Sequence, residues 1–527
     1  MQTIKKRTIL FLFANVLSMS LFAQHVPITP YPNRIEIDSG SLELPKHIPI
    51  QDNLNSFTQE LKVFSEQVKI YTDFKISRVK GKALLKVTKD DSIQPEAYDL
   101  EIFPDGIELK AGSSSGMFYG LQSLLQLLVD ASNKDWRLPL CHLYDTPRYQ
   151  WRGLMLDESR HFFGVKEVKK LLNMMAIHKL NKFHWHLTDS PGWRMEIRTY
   201  PLLTEIGSKG NESNPDAPAQ FYTQKQIRDI VAYAAQRHIE VIPEIDMPGH
   251  ASAAVRAYPE ISGGGSERHP NFTFHPGKEE TFEFLTNVLK EVAELFPSKM
   301  IHIGGDEVHF GNHMWKTFPE VKAMMKKNNW KTLVDVEHYF LHRMADTLRA
   351  MNKTVLGWDE MIGAELNNKN TVVMWWRHDR SKLFKSALEQ NYPVVMCPRL
   401  PLYFDFVQHD SHTDGRRWDG FAPVESVYAF PNEEMTGGTF FDCSNVLGMQ
   451  ANIWTEQIHN NERMEFMTFP RIAALAEASW TNAKQKDWAN FAIRLPQLLQ
   501  FYQKQDIEVF NPLEPQATPE IKGPIKN

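Results

Sequence analysis

Residues 300–307, MIHIGGDE, form a short apolar run that ends in two glycines and two carboxylates. Four other segments have the same form: FHWHLTD (183–189), VIPEIDMPGH (241–250), VLGWDE (355–360) and ANIWTE (451–456). Each starts as a buried strand and finishes in polar or aromatic groups. From residue 149 onward, eight apolar runs can be traced, at 153–156, 182–187, 239–245, 300–304, 354–358, 372–376, 393–397 and 446–453. Helix-like segments at 166–178, 224–236, 280–296, 334–351 and 381–389 separate them, and a last one at 464–479 follows the eighth run. Strands alternating with longer, mostly helical connections predict a closed (β/α)8 TIM barrel. The fifth and seventh units are the weakest of the eight. Active sites of such barrels sit at the C-terminal ends of the strands, where these polar endings collect.

Residues 24–147 read as a separate, smaller α+β domain. Alternating pieces at 83–87 and 98–103 read as strands, and Asp105-Gly106 lies between LEI (100–102) and IEL (107–109), a hairpin signal. GMFYGLQSLLQLLV (116–129) reads as a buried helix. The barrel is expected over 148–495, with 496–527 as a Pro- and Lys-bearing tail. At the other end, Lys5, Lys6 and Arg7 precede an apolar stretch that closes at Ala23. A basic segment, a short apolar core and a small residue describe a secretory signal over 1–23. The expected location is therefore outside the cytoplasm, periplasmic or extracellular, with no stable membrane span.

Composition narrows the classes further. The 527 residues carry a net charge of −5 and are 42% hydrophobic and 23% charged, the ordinary globular mix. With no long basic run beyond the first ten residues, no nucleic-acid footprint is expected. Cys141, Cys397 and Cys443 are too few for a disulfide scaffold and lack the spacing of a zinc module; Cys397 and Cys443 could pair. Among the 13 Trp, many stand beside carboxylates or histidines. Such rings suit either a core or a sugar, whose C–H face stacks while its hydroxyl edge meets acids.

The strand ends carry the chemistry. Adjacent Asp306 and Glu307 repel each other, which raises the pKa of at least one, and a carboxyl held neutral can protonate a leaving oxygen. His184-Trp185-His186 places two imidazoles on one face of a strand and admits a metal reading, but the fifth and sixth runs end in Trp where further ligands would be needed. A metal-dependent barrel hydrolase is the alternative enzyme; a catalytically silent amino-sugar-binding protein is the non-enzymatic one.

WRGLMLDESRHF (151–162), HWHLTDSPGWR (184–194), VIPEIDMPGH (241–250), HIGGDE (302–307), GWDE (357–360) and NIWTE (452–456), in this order, resemble glycoside hydrolase family 20, the β-N-acetylhexosaminidases. Residues 96–128 resemble the non-catalytic domain that precedes the barrel there. The resemblance implies exo-acting, retaining, substrate-assisted cleavage of terminal β-linked N-acetylhexosamines from oligosaccharides or glycoconjugates, without cofactor or metal. It implies Glu307 as general acid and base, Asp306 as the group that holds the acetamido N–H, and Tyr403 as donor to the acetamido oxygen. Trp358, Trp454 and Trp376, or Trp375 beside it, would wall the acetamido pocket. Arg152 would bind the 3- and 4-hydroxyls, and Asp405 and Glu456 the 4- and 6-hydroxyls. Asp189 and His250 would form a polar relay next to the acid.

Overall fold

The computed structural model describes residues 26–524; the leader-like segment 1–23 lies outside the described residues. Seven strands form the first sheet: β1 (Arg34–Glu43), β2 (His47–Gln51), β3 (Lys75–Arg78), β4 (Leu85–Lys89), β5 (Tyr98–Phe103), β6 (Gly106–Ala111) and β7 (Arg137–Asp145), in the order β1-β7-β5-β6-β4-β2-β3. The hairpin at Asp105-Gly106 is present, with Ile102 opposite Ile107. The predicted helix runs from Ser114 to Ser132 and starts at Ser113, whose hydroxyl accepts from the Gly116 N–H at 3.2 Å. It is apolar on nearly all sides because the sheet covers one flank and the barrel another.

The second unit is a closed parallel barrel of β8 (Trp151–Asp157), β9 (Lys182–His186), β10 (Glu240–Met247), β11 (Met300–Gly304), β12 (Thr354–Trp358), β13 (Thr371–Trp375), β14 (Val394–Met396) and β15 (Val446–Ile453). All eight predicted runs are strands. The helices Val165–Ile177, Gln224–Ala235, Glu279–Leu295, Leu333–Ala350 and Ser381–Glu389 match the predicted ones within a residue or so. The expected helix over 464–479 is two, Asn461–Thr468 and Arg471–Trp480, because Pro470 supplies no N–H to continue the ladder. After β12 the chain makes only a 3₁₀ segment, Asp359–Ala364. The helix Trp488–Lys504 runs through the boundary expected at residue 495 and buries Phe491, Leu495, Leu499 and Tyr502.

The sheet domain docks on the N-terminal end of the barrel, where Glu96 pairs with Arg152 and Asp145 with Lys179. Among the described residues no helix is long and apolar enough to cross a membrane. All three cysteines are free.

Candidate active site

At the C-terminal end of β11 the backbone turns sharply. Gly304 and Gly305 have φ of 68° and 94°, which side chains rarely adopt, and a Cβ on Gly304 would lie 1.8 Å from Asp246 Oδ1. This bend carries Asp306 and Glu307 into the barrel mouth. Glu307 itself has φ of 52°, a left-handed conformation that costs free energy in a non-glycine residue. Its side chain is about one-third exposed, whereas that of Asp306 is nearly buried. Burial pushes the Glu307 carboxyl above its ordinary range; the nearby His250 charge pulls it back in part, and Asp306 adds to the rise. A raised carboxyl is what a proton donor near neutral pH requires.

The expected relay is assembled. His250, from the loop after β10, faces Asp306 Oδ2 at 3.4 Å and Glu307 Oε2 at 3.7 Å through Nε2. Its Nδ1 lies 3.0 Å from Asp189 Oδ1. Burial disfavours charge on His250, but Asp189, Asp306 and Asp246 outweigh it and hold the imidazole well above its usual pKa. Asp189 also meets His186 Nε2 at 3.0 Å. The chain continues inward, since Nδ1 of His186 lies 2.5 Å from Glu244 Oε2. Glu244 gathers His184 and His302 as well, at 3.1 and 2.8 Å. The His-x-His pair thus points into the barrel and wraps a carboxylate. Asp246, which the sequence did not single out, is buried beside Asp306 and held well above its usual pKa by that burial first and by the Asp306 charge second.

The aromatic wall is equally compact. Trp358, Trp376, Trp454 and Tyr403 are buried in one cluster at the barrel mouth. Trp376 stacks on Tyr403 with 6.4 Å between ring centroids, and Tyr403 and Trp358 lie 6.0 and 5.8 Å from Trp454. Trp358 Nε1 donates to Glu244 at 3.1 Å. Trp375 points the other way and stacks on Phe384 of the outer helix, so Trp376 is the one at the mouth.

Arg152 is a correction. It is the second residue of β8 and therefore lies at the opposite end of the barrel, roughly 17 Å of strand away from Asp157 at about 3.3 Å per residue. Its guanidinium is fully buried at the domain seam, 2.9 Å from Glu96, 3.0 Å from Tyr119 Oη and 2.7 Å from the Tyr149 carbonyl. Arg160, three residues past Asp157, reaches the mouth instead. It lies 2.7 Å from Asp189 Oδ2 and 3.2 Å from Asp157 Oδ2, with its guanidinium 4.9 Å from the Trp454 ring centroid. The signal was legible: residues after a strand's C-terminal end reach the site, and residues that open it do not.

Asp405 and Glu456 face each other across Arg416, which pairs with Asp405 Oδ2 at 2.6 Å and also with Glu456. Arg416 comes from the long 398–445 connection, which has no periodicity to point at it. Burial raises the Asp405 carboxyl to about 7 although Arg416 opposes the rise. Burial works the same way on Glu456, but Arg416 and Arg160 hold it below the ordinary carboxylate range.

Among the described residues three groups could hold a cation by proximity, their donor atoms lying within 4.8 Å of one another: His184, Glu244 and His302; His186, Asp189 and Asp246; and Asp246, His250 and Asp306. All lie within the network just described, where carboxylates already face imidazoles.

Residues 149–483 match the model of the glycosyl hydrolase family 20 catalytic domain, and residues 25–146 match that of family 20 domain 2. The chain belongs to glycosyl hydrolase family 20. Within family 20 it is 35% identical over 493 residues to a beta-hexosaminidase of Porphyromonas gingivalis, covering 89% of this chain and 62% of that relative. An Akkermansia muciniphila beta-hexosaminidase is 30% identical, with coverage of 82% and 89%. Among solved structures, the family 20 exo-β-N-acetylglucosaminidase of Vibrio harveyi in complex with N-acetylglucosamine superimposes with a TM-score of 0.84 at 32% identity, over 92% of this chain and 78% of that one. The β-N-acetylhexosaminidase of Bacteroides fragilis gives 0.79 at 31% identity, over 92% and 96%.

Proposed function

We propose that this chain is an exo-acting, retaining β-N-acetylhexosaminidase that removes terminal β-linked GlcNAc or GalNAc from oligosaccharides and glycoconjugates. The observation that carries the reading is the meeting of Asp306 and Glu307 with a closed aromatic cluster at the barrel mouth, where Asp306 Oδ1 is buried and has no protein partner. Glu307 protonates the departing glycosidic oxygen while the substrate's own acetamido oxygen attacks C1 and the C1–O bond breaks. The product is a cyclic oxazolinium, whose N–H and developing positive charge Asp306 holds. Tyr403 donates to the acetamido oxygen and so aims it at C1. Water then attacks C1, Glu307 takes the water's proton, and the ring opens back to the amide. Two inversions give net retention, and no carboxylate nucleophile is needed.

Arg160, in place of Arg152, is suited to the hydroxyls of the terminal sugar together with Asp405 and Glu456. Arg416 orients those two carboxylates. Trp358, Trp376 and Trp454 exclude water from the acetamido group, and Asp189 and His250 fix the charge beside Glu307. The leader-like residues 1–23 support export, to the periplasm or beyond. The test is release of nitrophenol from β-N-acetylglucosaminide and β-N-acetylgalactosaminide in the presence of excess EDTA. Turnover that survives the chelator is expected; turnover that needs added metal would favour a metal hydrolase, and none at all would favour a binding protein.

A further inference from the structure

The segment that follows the helix Trp488–Lys504 returns to the barrel mouth and is built into it. Glu520, whose side chain is 8% exposed, accepts from the backbone N–H of Thr413 at 2.8 Å and of Asp414 at 2.9 Å. Gly523 N–H donates to Asp414 Oδ2 at 3.0 Å, and Lys522 Nζ to Thr413 Oγ1 at 3.0 Å. Beneath them the fully buried Arg463 ties three pieces of chain together: it donates to the carbonyls of Ile521, Asp414 and Gln457. Gln457 is next to Glu456, and Asp414 is two residues from Arg416. Gly415 between them is packed so closely that a Cβ would lie 2.8 Å from Val407 Cγ1 and 3.1 Å from the Asp405 carbonyl oxygen. Lys522, Gly523 and Pro524 then line, with Arg416, Glu456 and Trp418, a cavity of about 1030 Å³.

We propose that residues 519–524 are a strap of the active site, and that Glu520 is a positioning residue that sets Arg416, and through it Asp405 and Glu456, against the hydroxyls of the terminal sugar. This rests on the reading of Asp405 and Glu456 as hydroxyl contacts. A carboxylate that accepts two backbone N–H groups pins a loop that would otherwise be held at only a few points. The pinned loop is the one whose Arg416 N–H and carbonyl bond Asp405 O and Val407 N. Binding of the 4- and 6-hydroxyls therefore depends on a side chain that touches no substrate.

The test compares Glu520→Ala with the wild type in two ways. Amide exchange at Thr413 and Asp414 should quicken at least about tenfold. KM for a nitrophenyl β-N-acetylglucosaminide should rise about tenfold with kcat within about twofold, and that rise should vanish on the 4-deoxy and 6-deoxy substrates, because coupled contacts do not add. A chain ending at Ala517 should show the same pattern more strongly, and serves if Glu520→Ala folds poorly. Unchanged exchange in both variants would overturn the strap, as would an equal KM rise on parent and deoxy substrates. Quickened exchange in a protein inert toward 2-acetamido glycosides would leave the strap standing and overturn the functional reading.

Discussion

The two ends of the barrel bury charge in different ways. At the N-terminal end the fully buried Arg152 and Lys179 are matched. Arg152 meets Glu96, Tyr119 and two carbonyls, while Lys179 meets Asp145 at 3.2 Å and Asp145 also accepts from Tyr98 and Trp480. At the C-terminal end Asp306 Oδ1, Asp246 Oδ1 and Glu456 Oε2 are buried without a protein hydrogen-bond partner. Leaving such groups unpaired costs stability, on the order of 1–3 kcal/mol each, and a polar ligand recovers that cost. The seam holds two domains together; the mouth is prepared to bind something with amide and hydroxyl groups.

The sharpest way to break the contrast is at the proton donor. Glu307→Gln should lower kcat/KM on an amino-sugar glycoside by about 10²- to 10⁴-fold, the range for loss of a general acid. Azide should not rescue it, since no carboxylate nucleophile is missing. Asp306→Asn should cost about 10²- to 10³-fold, mainly in kcat, because it weakens a contact that strengthens as charge develops. The arginines separate the two ends directly. Arg160→Ala should reduce kcat/KM by about 10²-fold, as expected for truncating a buried charged contact. Arg152→Ala should instead lower stability by about 3 kcal/mol, read by denaturant titration, with kcat/KM per folded molecule unchanged, because it strands Glu96 at the seam.

The smallest effect is electrostatic. Activity should fall as pH rises through the Glu307 pKa, since the acid must carry its proton. The His250 charge lowers that pKa, and Asp306, Arg160 and Arg416 also face the group. His250→Asn removes the positive charge and tolerates the left-handed backbone there. The alkaline limb of the pH–kcat/KM profile should move up by about one unit; a shift downward would refute the assigned charge.

The barrel was legible because buried parallel strands read as apolar runs and their polar ends break the pattern in the same place each time. Glu307, Asp306, Asp189 and His250 were visible for that reason. The helix over 464–479 misled because periodicity continues across Pro470 while the backbone ladder does not. Arg152 misled through residue type: an arginine in the right motif stood at the wrong end of its strand, and Arg160 was passed over eight residues on. Arg416 and Glu520 had no local signal at all. Their roles come from long-range pairing between loops without periodicity, which only the folded chain brings together.

The central claim is that the substrate's acetamido oxygen, not a protein carboxylate, attacks C1. It is tested most directly by kcat/KM for paired nitrophenyl β-glycosides that differ only at C2. Replacing the 2-acetamido group with a hydroxyl should lower kcat/KM by at least about 10³-fold, because an internal nucleophile is worth a large effective concentration. Rates within about tenfold of each other would contradict it.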